Sequence, residues 1–272
     1  MPSPNVNGHQ RGYVIPIGGA EEKIENPEIL QKFVELAGGP DAVISIIPTA
    51  SQLHNTGNRY QSIFNDLGVG TAHALPIDER EDAFKPEYVE MLESSTGIFI
   101  TGGNQLRLST ILGGTPIAKT VRKLNAKGVH YAGTSAGAAI VSQHMIVGGA
   151  TGVVPTEGGV NLAPGMGLSN TIVVDQHFNE RNRLARLLSA VSYNASLVGV
   201  GLDEDTAAFI DPNNVFTVVG SGAITVIDPS NIAYSSMADA RPGEALTLLN
   251  LKMHILAAGS RYDIDAREAF VE

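Results

Sequence analysis

The sequence predicts an α/β fold in which a mostly parallel central sheet lies between two layers of helices. Three observations support this prediction. Short apolar segments alternate with longer amphipathic segments along the first half of the chain, which is the pattern of parallel strands joined by helices. Several apolar segments end at glycine-rich turns, as at Gly18 and Gly102. In the run 133–137, a glycine-serine-glycine turn joins a strand-like segment to a helix-like one.

The first half of the chain supplies alternating strands and helices in this interpretation. The predicted strands are 13–17, 42–47, 71–76, 97–100 and 129–132. The predicted helices are 27–36, 60–67, 86–93 and 116–126. The first helix has Asn26 at its N-cap position and Gly38 beyond its end, and both residue types favour helix termini. The β-branched residues of segment 42–47 predict a buried strand.

The second half of the chain has a different character. The glycine-rich segment 147–169 shows little periodicity, and a long irregular segment of this kind is often a functional loop. A strand at 171–174 and a helix at 180–191 follow. Four short strands are then predicted at 198–202, 206–210, 215–219 and 223–227.

Neither a repeat nor a domain boundary is visible in the sequence. Residues 1–11 are polar and contain two prolines, which predicts a flexible N-terminal tail. Residues 12–272 are predicted to form a single α/β domain.

The composition narrows the classes of function. Of 272 residues, 43% are hydrophobic, which is enough for a substantial core. The net charge of −10 argues against nucleic acid as a partner and suits a partly cationic substrate. The absence of cysteine excludes disulfides, thiolate metal sites and a cysteine nucleophile. Because no apolar run is long enough to cross a membrane and the N-terminus lacks signal-peptide features, a cytoplasmic protein without a membrane partner is expected.

Ser135 is the predicted nucleophile. It stands in the run Gly133-Thr134-Ser135-Ala136-Gly137, between two apolar segments. This is the G-x-S-x-G pattern of a sharp turn between strand and helix, where small residues let the serine hydroxyl project from the sheet. The N-terminus of the following helix would stabilise a developing oxyanion. The alternative interpretation is a glycine-rich turn with an ordinary serine, because short glycine motifs recur by chance.

His177 is the favoured base among seven histidines. It comes directly after an apolar strand, and α/β sheets carry their sites at the carboxyl ends of parallel strands. The alternative is a loop histidine that contacts the backbone. The remaining histidines lack such a context and are interpreted as structural: His9, His54, His73, His130, His144 and His254.

A serine–histidine pair needs a third group to orient the imidazole. The run Asp203-Glu204-Asp205 follows the predicted strand 198–202, and one of its carboxylates is expected to accept the Nδ1–H of His177. Spacing does not distinguish the three acids, and such a run is also typical of a solvated loop. The resulting order of serine, histidine and acid differs from that of α/β-hydrolases, which would require His254 as the base.

A second turn, Thr101-Gly102-Gly103-Asn104-Gln105, follows the predicted strand 97–100. We expect the backbone N–H groups of Gly103 and Asn104, together with that of Ala136, to form an oxyanion hole. The alternative is a plain turn between a strand and a helix.

Arg181, Arg183 and Arg186 lie just after His177, at the start of the predicted helix 180–191. Arg183 and Arg186 are separated by roughly 60° on a helix, away from its apolar stripe. Clustered guanidinium groups bind substrate carboxylates through paired hydrogen bonds. The alternative is a solvated helix face.

The sequence contains no zinc signature, Walker A loop or G-x-G-x-x-G fingerprint. The run 18–23 only loosely resembles a phosphate-binding loop and lacks its spacing. Neither a cofactor nor a metal is expected.

Taken together, these motifs are similar to those of a family of serine peptidases that includes the cyanophycinases and the aspartyl dipeptidases (peptidase E). The similarity extends over nearly the whole chain from about Tyr13. It is carried by the segments 17–20, 47–51, 100–106, 133–138, 175–178 and 202–207. Segment 175–178 with the arginines after it resembles the cyanophycinases more than the dipeptidases.

The resemblance implies a class I glutamine amidotransferase-like, flavodoxin-like three-layer sandwich for the serine peptidase domain of residues 12–272. It implies Ser135 as nucleophile, His177 as base and Glu204, rather than its aspartate neighbours, as the third member. The substrate pocket that it implies consists of Gln105, Asp175, Gln176, Arg181, Arg183 and Arg186.

The resemblance also implies a substrate. Cyanophycin is an aspartate polymer that carries arginine on each β-carboxyl through an isopeptide bond, and the family releases β-Asp-Arg dipeptides from its end. Family members are typically homodimers. The arginine cluster would bind a terminal carboxylate, and Asp175 or a nearby acid would bind a guanidinium. The alternatives are an α-aspartyl dipeptidase of the same family and a catalytically silent binder of acidic peptides.

Overall fold

A computed structural model describes residues 1–271 of the protein. Its strands are β1 Val14–Ile17, β2 Val43–Ile47, β3 Thr71–Ala74, β4 Gly97–Ile100, β5 His130–Thr134, β6 His144–Gly149, β7 Val160–Pro164, β8 Ile172–Gln176, β9 Val198–Leu202, β10 Thr206–Ile210, β11 Val215–Gly220, β12 Ala223–Asp228, β13 Tyr234–Ser235, β14 Leu248–Leu249, β15 Lys252–Ala257, β16 Arg261–Asp263 and β17 Glu268–Phe270. Its helices are α1 Glu28–Ala37, α2 Thr56–Asp66, α3 Pro86–Glu93, α4 Gln105–Leu112, α5 Pro116–Asn125, α6 Ala136–Ala139 and α7 Leu184–Tyr193.

The largest sheet of the described residues has the strand order β17-β16-β11-β10-β1-β5-β4-β2-β3. Strands β1, β5, β4, β2 and β3 run parallel to one another, and β10, β11, β16 and β17 extend the sheet in antiparallel pairs. The predicted α/β fold with a central sheet and flanking helices is confirmed. Its parallel half carries the turn that contains Ser135.

The two faces of the large sheet are covered differently. Helices α1 and α2 cover one face, where Phe33, Phe64 and Phe99 pack among the aliphatic side chains of the parallel strands. The other face packs against α3, α5 and α6, and also against a second sheet through residues such as Val174 and Val200. Alternate residues of each strand therefore enter different cores, since successive side chains point to opposite faces.

The second sheet was not predicted. Its strand order is β15-β12-β9-β8, with β8 and β9 parallel, and α7 covers its outer face. Strands β9 and β10 are consecutive in the chain but belong to different sheets, because β9 pairs with β12 and β10 pairs with β1. The sequence pattern identified these segments as strands. Hydrophobic periodicity shows which face is buried, but not which strand is the neighbour.

Three helix predictions needed correction. Helix α2 begins at Thr56 rather than at residue 60, and α7 begins at Leu184 rather than at residue 180. Helix α4 was missed altogether. Its signal was Asn104, whose side-chain oxygen accepts from the N–H of Leu106 at 2.9 Å and of Arg107 at 3.2 Å, as an N-cap asparagine does.

The glycine-rich segment 147–169 was expected to be irregular, but part of it forms strands. Residues 147–149 belong to β6 and residues 160–164 form β7, and the two strands pair as an antiparallel ribbon with a register shift between Ile146 and Gly148. Exposed and glycine positions interrupt the alternation that would have marked these strands. The connection between them, about residues 150–159, and residues 165–169 after β7 lie outside the helices and strands.

The N-terminal segment lies against the body of the chain. Arg11 donates to the carbonyl of Ser3 at 2.5 Å and to the Asn125 side chain at 3.1 Å. One hydrophobic cluster joins both sheets, which favours a single domain, although the boundaries 1–11 and 12–272 stay a prediction. Among residues 1–271, no helix combines the length and apolar character needed to span a membrane.

Candidate active site

Ser135 occupies a strained turn between β5 and α6. Its φ of 52° and ψ of −105° lie in a region that non-glycine residues rarely adopt, and such strain is typical of functional positions. The flanking glycines allow this turn. A Cβ at Gly133 would lie 2.4 Å from the carbonyl oxygen of Gly137, and a Cβ at Gly137 would lie 2.3 Å from that of Ile100.

Ser135, His177 and Glu204 form a continuous chain of hydrogen bonds. The Ser135 Oγ lies 2.9 Å from the Nε2 of His177, and the Nδ1 of His177 lies 2.6 Å from a carboxylate oxygen of Glu204. If Glu204 accepts the Nδ1–H, Nε2 carries no proton and can accept one from the serine hydroxyl. This is the geometry of a nucleophile, a general base and a group that orients the base.

The three side chains come from the ends of strands in two different sheets. Ser135 follows β5 of the large sheet, whereas His177 and Glu204 follow β8 and β9 of the second sheet. All three residues follow the carboxyl ends of parallel strands, as the sequence predicted. The site therefore lies where the two sheets meet, which the sequence did not indicate.

Three successive carbonyls, at the last residue of β1 and the two residues after it, hold these segments together. The carbonyl of Ile17 accepts from the N–H of Ser135 at 2.9 Å, and that of Gly18 accepts from the N–H of His177 at 2.9 Å. The carbonyl of Gly19 accepts from the N–H of Asp205, next to Glu204, at 2.8 Å. Segment 17–19 thus fixes the backbone beside every member of the hydrogen-bonded chain.

Gly19 also packs directly against the imidazole. Its φ is +103°, and a Cβ there would lie 2.4 Å from Cε1 and 2.5 Å from Nε2 of His177. A side chain would therefore displace the ring. The sequence marked this segment as a glycine-rich turn after a strand, but its contact with His177 was not predicted.

Glu21 anchors the same segment beneath the serine turn. Its buried carboxylate accepts from the hydroxyls of Thr134 and Tyr60, each at 2.5 Å, and lies 3.3 Å from the ammonium of Lys23. Burial and the Glu21 charge raise the pKa of Tyr60, so its hydroxyl remains a donor. Because Thr134 directly precedes Ser135, this network fixes the end of β5. No motif in the sequence indicated this network.

The environment of His177 favours its neutral form. Burial is the main cause that lowers the pKa of His177, and the positive charges of Arg181 and Arg183 lower it further. The hydrogen bond to Glu204 acts in the opposite direction. A neutral imidazole at neutral pH is the form that accepts a proton.

The expected oxyanion donors differ in availability. The N–H of Asn104 is engaged with the carbonyl of Ala50 at 2.8 Å. Within residues 1–271, no hydrogen bond is recorded for the N–H of Gly103 or of Ala136, which begins α6. Gly102 lies against the serine, since a Cβ there would be 3.2 Å from the Cβ of Ser135. Gly103 and Ala136 are therefore the donors that this conformation leaves open.

The residues expected to bind substrate form a buried polar network beside His177. Asp175 is 1% exposed, and Arg186 donates to both of its carboxylate oxygens, at 2.6 and 2.5 Å. Arg183 donates to Asp175 at 3.4 Å and to two oxygens of Gln176. Burial lowers the pKa of Arg183 to about 10.

These contacts correct the alternative of a solvated helix face. Arg183 and Arg186 are 8% and 6% exposed, and residues 180–183 precede α7 rather than belong to it. Arg181 alone of the three is exposed to solvent. Gln105, on α4, donates to the carbonyl of Ile146 at 3.2 Å and is half-buried.

The hydrogen-bonded chain has the geometry of a serine-type hydrolase. The sequence matches the family described as Peptidase family S51 over residues 14–218. The chain belongs to peptidase family S51.

Proteins named cyanophycinase are similar to the chain over most of its length. The protein from Geminocystis herdmanii is 42% identical over 255 residues, or 93% of this chain and 94% of its own. The protein from Synechococcus elongatus is 42% identical over 260 residues, which are 95% of this chain and 80% of its own. The one from a Nostoc species is 41% identical over 256 residues, or 93% and 86%.

Two solved structures share the fold. A peptidase from an acI-B1 Actinobacterium has a TM-score of 0.64 and 23% identity, covering 91% of this chain and 98% of its own. A putative peptidase E from Listeria monocytogenes EGD-e has a TM-score of 0.53 and 18% identity, covering 78% and 100%.

Proposed function

We propose that the protein is a cyanophycinase, a serine exopeptidase that hydrolyses cyanophycin to β-Asp-Arg dipeptides. The observation that carries this proposal is the Ser135–His177–Glu204 hydrogen-bonded chain, in a sequence 42% identical to cyanophycinases over 93% of its length. The proposed partner is the polymer itself. The enzyme is proposed to act without cofactor as a cytoplasmic homodimer in the degradation of this nitrogen store.

The proposed reaction has two stages. His177 Nε2 accepts the proton of Ser135 as Oγ attacks the scissile carbonyl, and the imidazolium then protonates the leaving amine to release it. Water, deprotonated by the same imidazole, attacks the acyl-enzyme and returns Ser135 with its proton. Glu204 stabilises the imidazolium through Nδ1–H. The N–H groups of Gly103 and Ala136 would stabilise the oxyanion in both stages.

The buried network supports a refined role for the pocket residues. Asp175 is already paired with Arg186, so we propose that both act by holding a rigid pocket wall rather than by capturing substrate charges directly. Arg181 is the exposed cation of the cluster and the proposed ligand for a substrate carboxylate. Gln105 and Gln176 are proposed to donate hydrogen bonds to the substrate amides.

The proposal is tested by offering the purified protein insoluble cyanophycin and, separately, α-Asp dipeptides. Mass spectrometry of the soluble products is expected to find β-Asp-Arg from the polymer. Cleavage of α-Asp dipeptides alone would instead identify an aspartyl dipeptidase. Polymer binding without any product would identify a silent binder, and either result would overturn the proposal.

The pH profile is expected to show His177 as a base with a low pKa. The value of kcat/KM should rise with pH as His177 loses its proton, with the midpoint of the rise below the pKa of a free histidine. In Arg181→Gln, a positive charge that lowers the pKa of His177 is lost, so the midpoint should move to higher pH. Profiles of kcat/KM for both proteins, with exposed Arg241→Gln as control, measure this shift. An unchanged or lower midpoint in Arg181→Gln would contradict it.

Glu21 is expected to act as a positioning residue. Glu21→Gln keeps the volume but removes the charge that Thr134, Tyr60 and Lys23 share, so the serine turn should lose its fixed geometry. We expect kcat to fall about 10- to 100-fold, because a shift of about 1 Å has this cost, with KM within about twofold.

The control for Glu21 is Asn125→Ala. Asn125 is also buried and holds Gly12 and Val129, at the amino end of β5. The Asn125→Ala substitution should lower the melting temperature without changing kcat. If Glu21→Gln loses activity only in proportion to its unfolded fraction, Glu21 does not position the serine.

A further inference from the structure

A polar cavity outside the proposed substrate pocket lies at the same end of the large sheet as Ser135. It has a volume of about 190 Å³ at the carboxyl ends of β2 and β3. Its polar lining consists of Ser51, Gln52, His54, Asn58, Asp78 and Arg107. None of these residues belongs to the proposed reaction.

One turn separates the cavity from the serine turn. The strand order β5-β4-β2-β3 leaves only the turn after β4 between them. At one end of that turn, a Cβ on Gly102 would touch Ser135 at 3.2 Å. At the other end, a Cβ on Gly103 would lie 2.1 Å from the carbonyl oxygen of Ala50, just before Ser51. Gly102 is half-buried and Gly103 is exposed, so neither position places a side chain between Ser135 and the cavity.

The separation suits a polymer. Neighbouring strands are about 4.8 Å apart, which puts the cavity two to three strands, or about 10–14 Å, from the serine turn. An extended polypeptide advances about 3.3–3.6 Å per residue. The cavity therefore lies three to four backbone residues away from the scissile bond.

The charges in the cavity complement an arginine-bearing repeat. Arg107 is held by two backbone carbonyls, donating from Nε to Thr49 at 2.9 Å and from Nη2 to Asp78 at 2.6 Å, so its Nη1 remains for a ligand. The Asp78 carboxylate is exposed, and among the described residues no ion pair is recorded for it or for Arg107. A fixed cation and a free anion in one cavity match a zwitterionic group.

Resting on the proposed function, we propose that this cavity is a remote subsite that binds an uncleaved repeat of the polymer. Asp78 binds the guanidinium of that repeat, and Arg107 binds the free α-carboxylate of the same arginine. The subsite holds the polymer in place while its end is cleaved at Ser135. Its contribution appears only with substrates long enough to span both places.

The test compares a soluble oligomer of eight β-Asp-Arg repeats with one of two repeats. Asp78→Asn is expected to lower kcat/KM for the long oligomer about tenfold, which is the loss of about 1.4 kcal/mol of binding, with kcat unchanged. Charge reversal in Asp78→Lys should lower it further. Both variants should cleave the two-repeat substrate like the wild type.

The matched control is Asp41→Asn. Asp41 is an exposed aspartate at the amino end of β2, so it lies at the opposite end of the sheet from the cavity. Equal losses on both substrates, or none in Asp78→Lys, would overturn the subsite while leaving the proposed function intact. Failure of the wild type to cleave either oligomer would overturn the proposed function and the subsite with it.

Discussion

Replacement of Ser135 by alanine is expected to lower kcat by about 10⁴- to 10⁶-fold, as loss of a serine nucleophile does in other hydrolases. The structure gives the reason. The Oγ of Ser135 is the atom that His177 Nε2 contacts at 2.9 Å, and alanine leaves no group there to form the acyl-enzyme. Substrate binding should survive, because the pocket network does not depend on the hydroxyl.

Ser135→Ala is measured by release of β-Asp-Arg, and its binding of the two-repeat oligomer by calorimetry. Ser192→Ala provides the control, since its hydroxyl on α7 only donates to the carbonyl of Leu188. We expect full activity in the control and wild-type affinity without turnover in Ser135→Ala. Activity within tenfold of the wild type in Ser135→Ala would exclude it as the nucleophile.

Glu204→Gln is expected to lower kcat by about 10² to 10⁴-fold with little change in KM. Glutamine keeps the shape of the side chain but removes the negative charge that stabilises the imidazolium. It can also present an amide N–H toward Nδ1, which selects the tautomer with its proton on Nε2 and blocks the base. Because the hydrogen bond and charge of Glu204 raise the pKa of His177, the midpoint of kcat/KM should also move to lower pH.

Asp205→Asn is the matched control for Glu204. Asp205 is adjacent in sequence, but its carboxylate accepts from the N–H of Glu22 at 2.8 Å and the hydroxyl of Ser221 at 2.7 Å, and asparagine can retain both contacts. Its positive φ of 46° is also tolerated by asparagine. A comparable loss of kcat in both variants would show that the loop, and not the Glu204 carboxylate, is what matters.

The alternation of apolar and amphipathic segments was sufficient to predict the parallel half of the sheet. Local turn chemistry also placed Ser135 and His177 at strand ends, because glycine and small residues mark sharp turns in any fold. It could not select Glu204. All three acids follow the same strand, and the choice depends on which carboxylate the fold brings to Nδ1 of His177.

The alternative of a solvated helix face failed for a similar reason. Arginines 183 and 186 are spaced as on a solvated helix face, but tertiary pairing with Asp175 buries them. Buried arginines are rare unless they are paired, so spacing alone favoured exposure. The partner that changes this balance, Asp175, was visible in the sequence, but its burial was not.

By itself, the sequence determined the fold class, the serine turn and the histidine that follows a second strand, because these depend on contacts between neighbouring residues in the chain. Only the tertiary structure decided how they meet. It divides β8 and β9 from β5 into separate sheets and joins their ends through the carbonyls of Ile17, Gly18 and Gly19. Every residue has the same backbone carbonyl, so no pattern of side chains could predict which carbonyls would accept hydrogen bonds from the segments that carry the site.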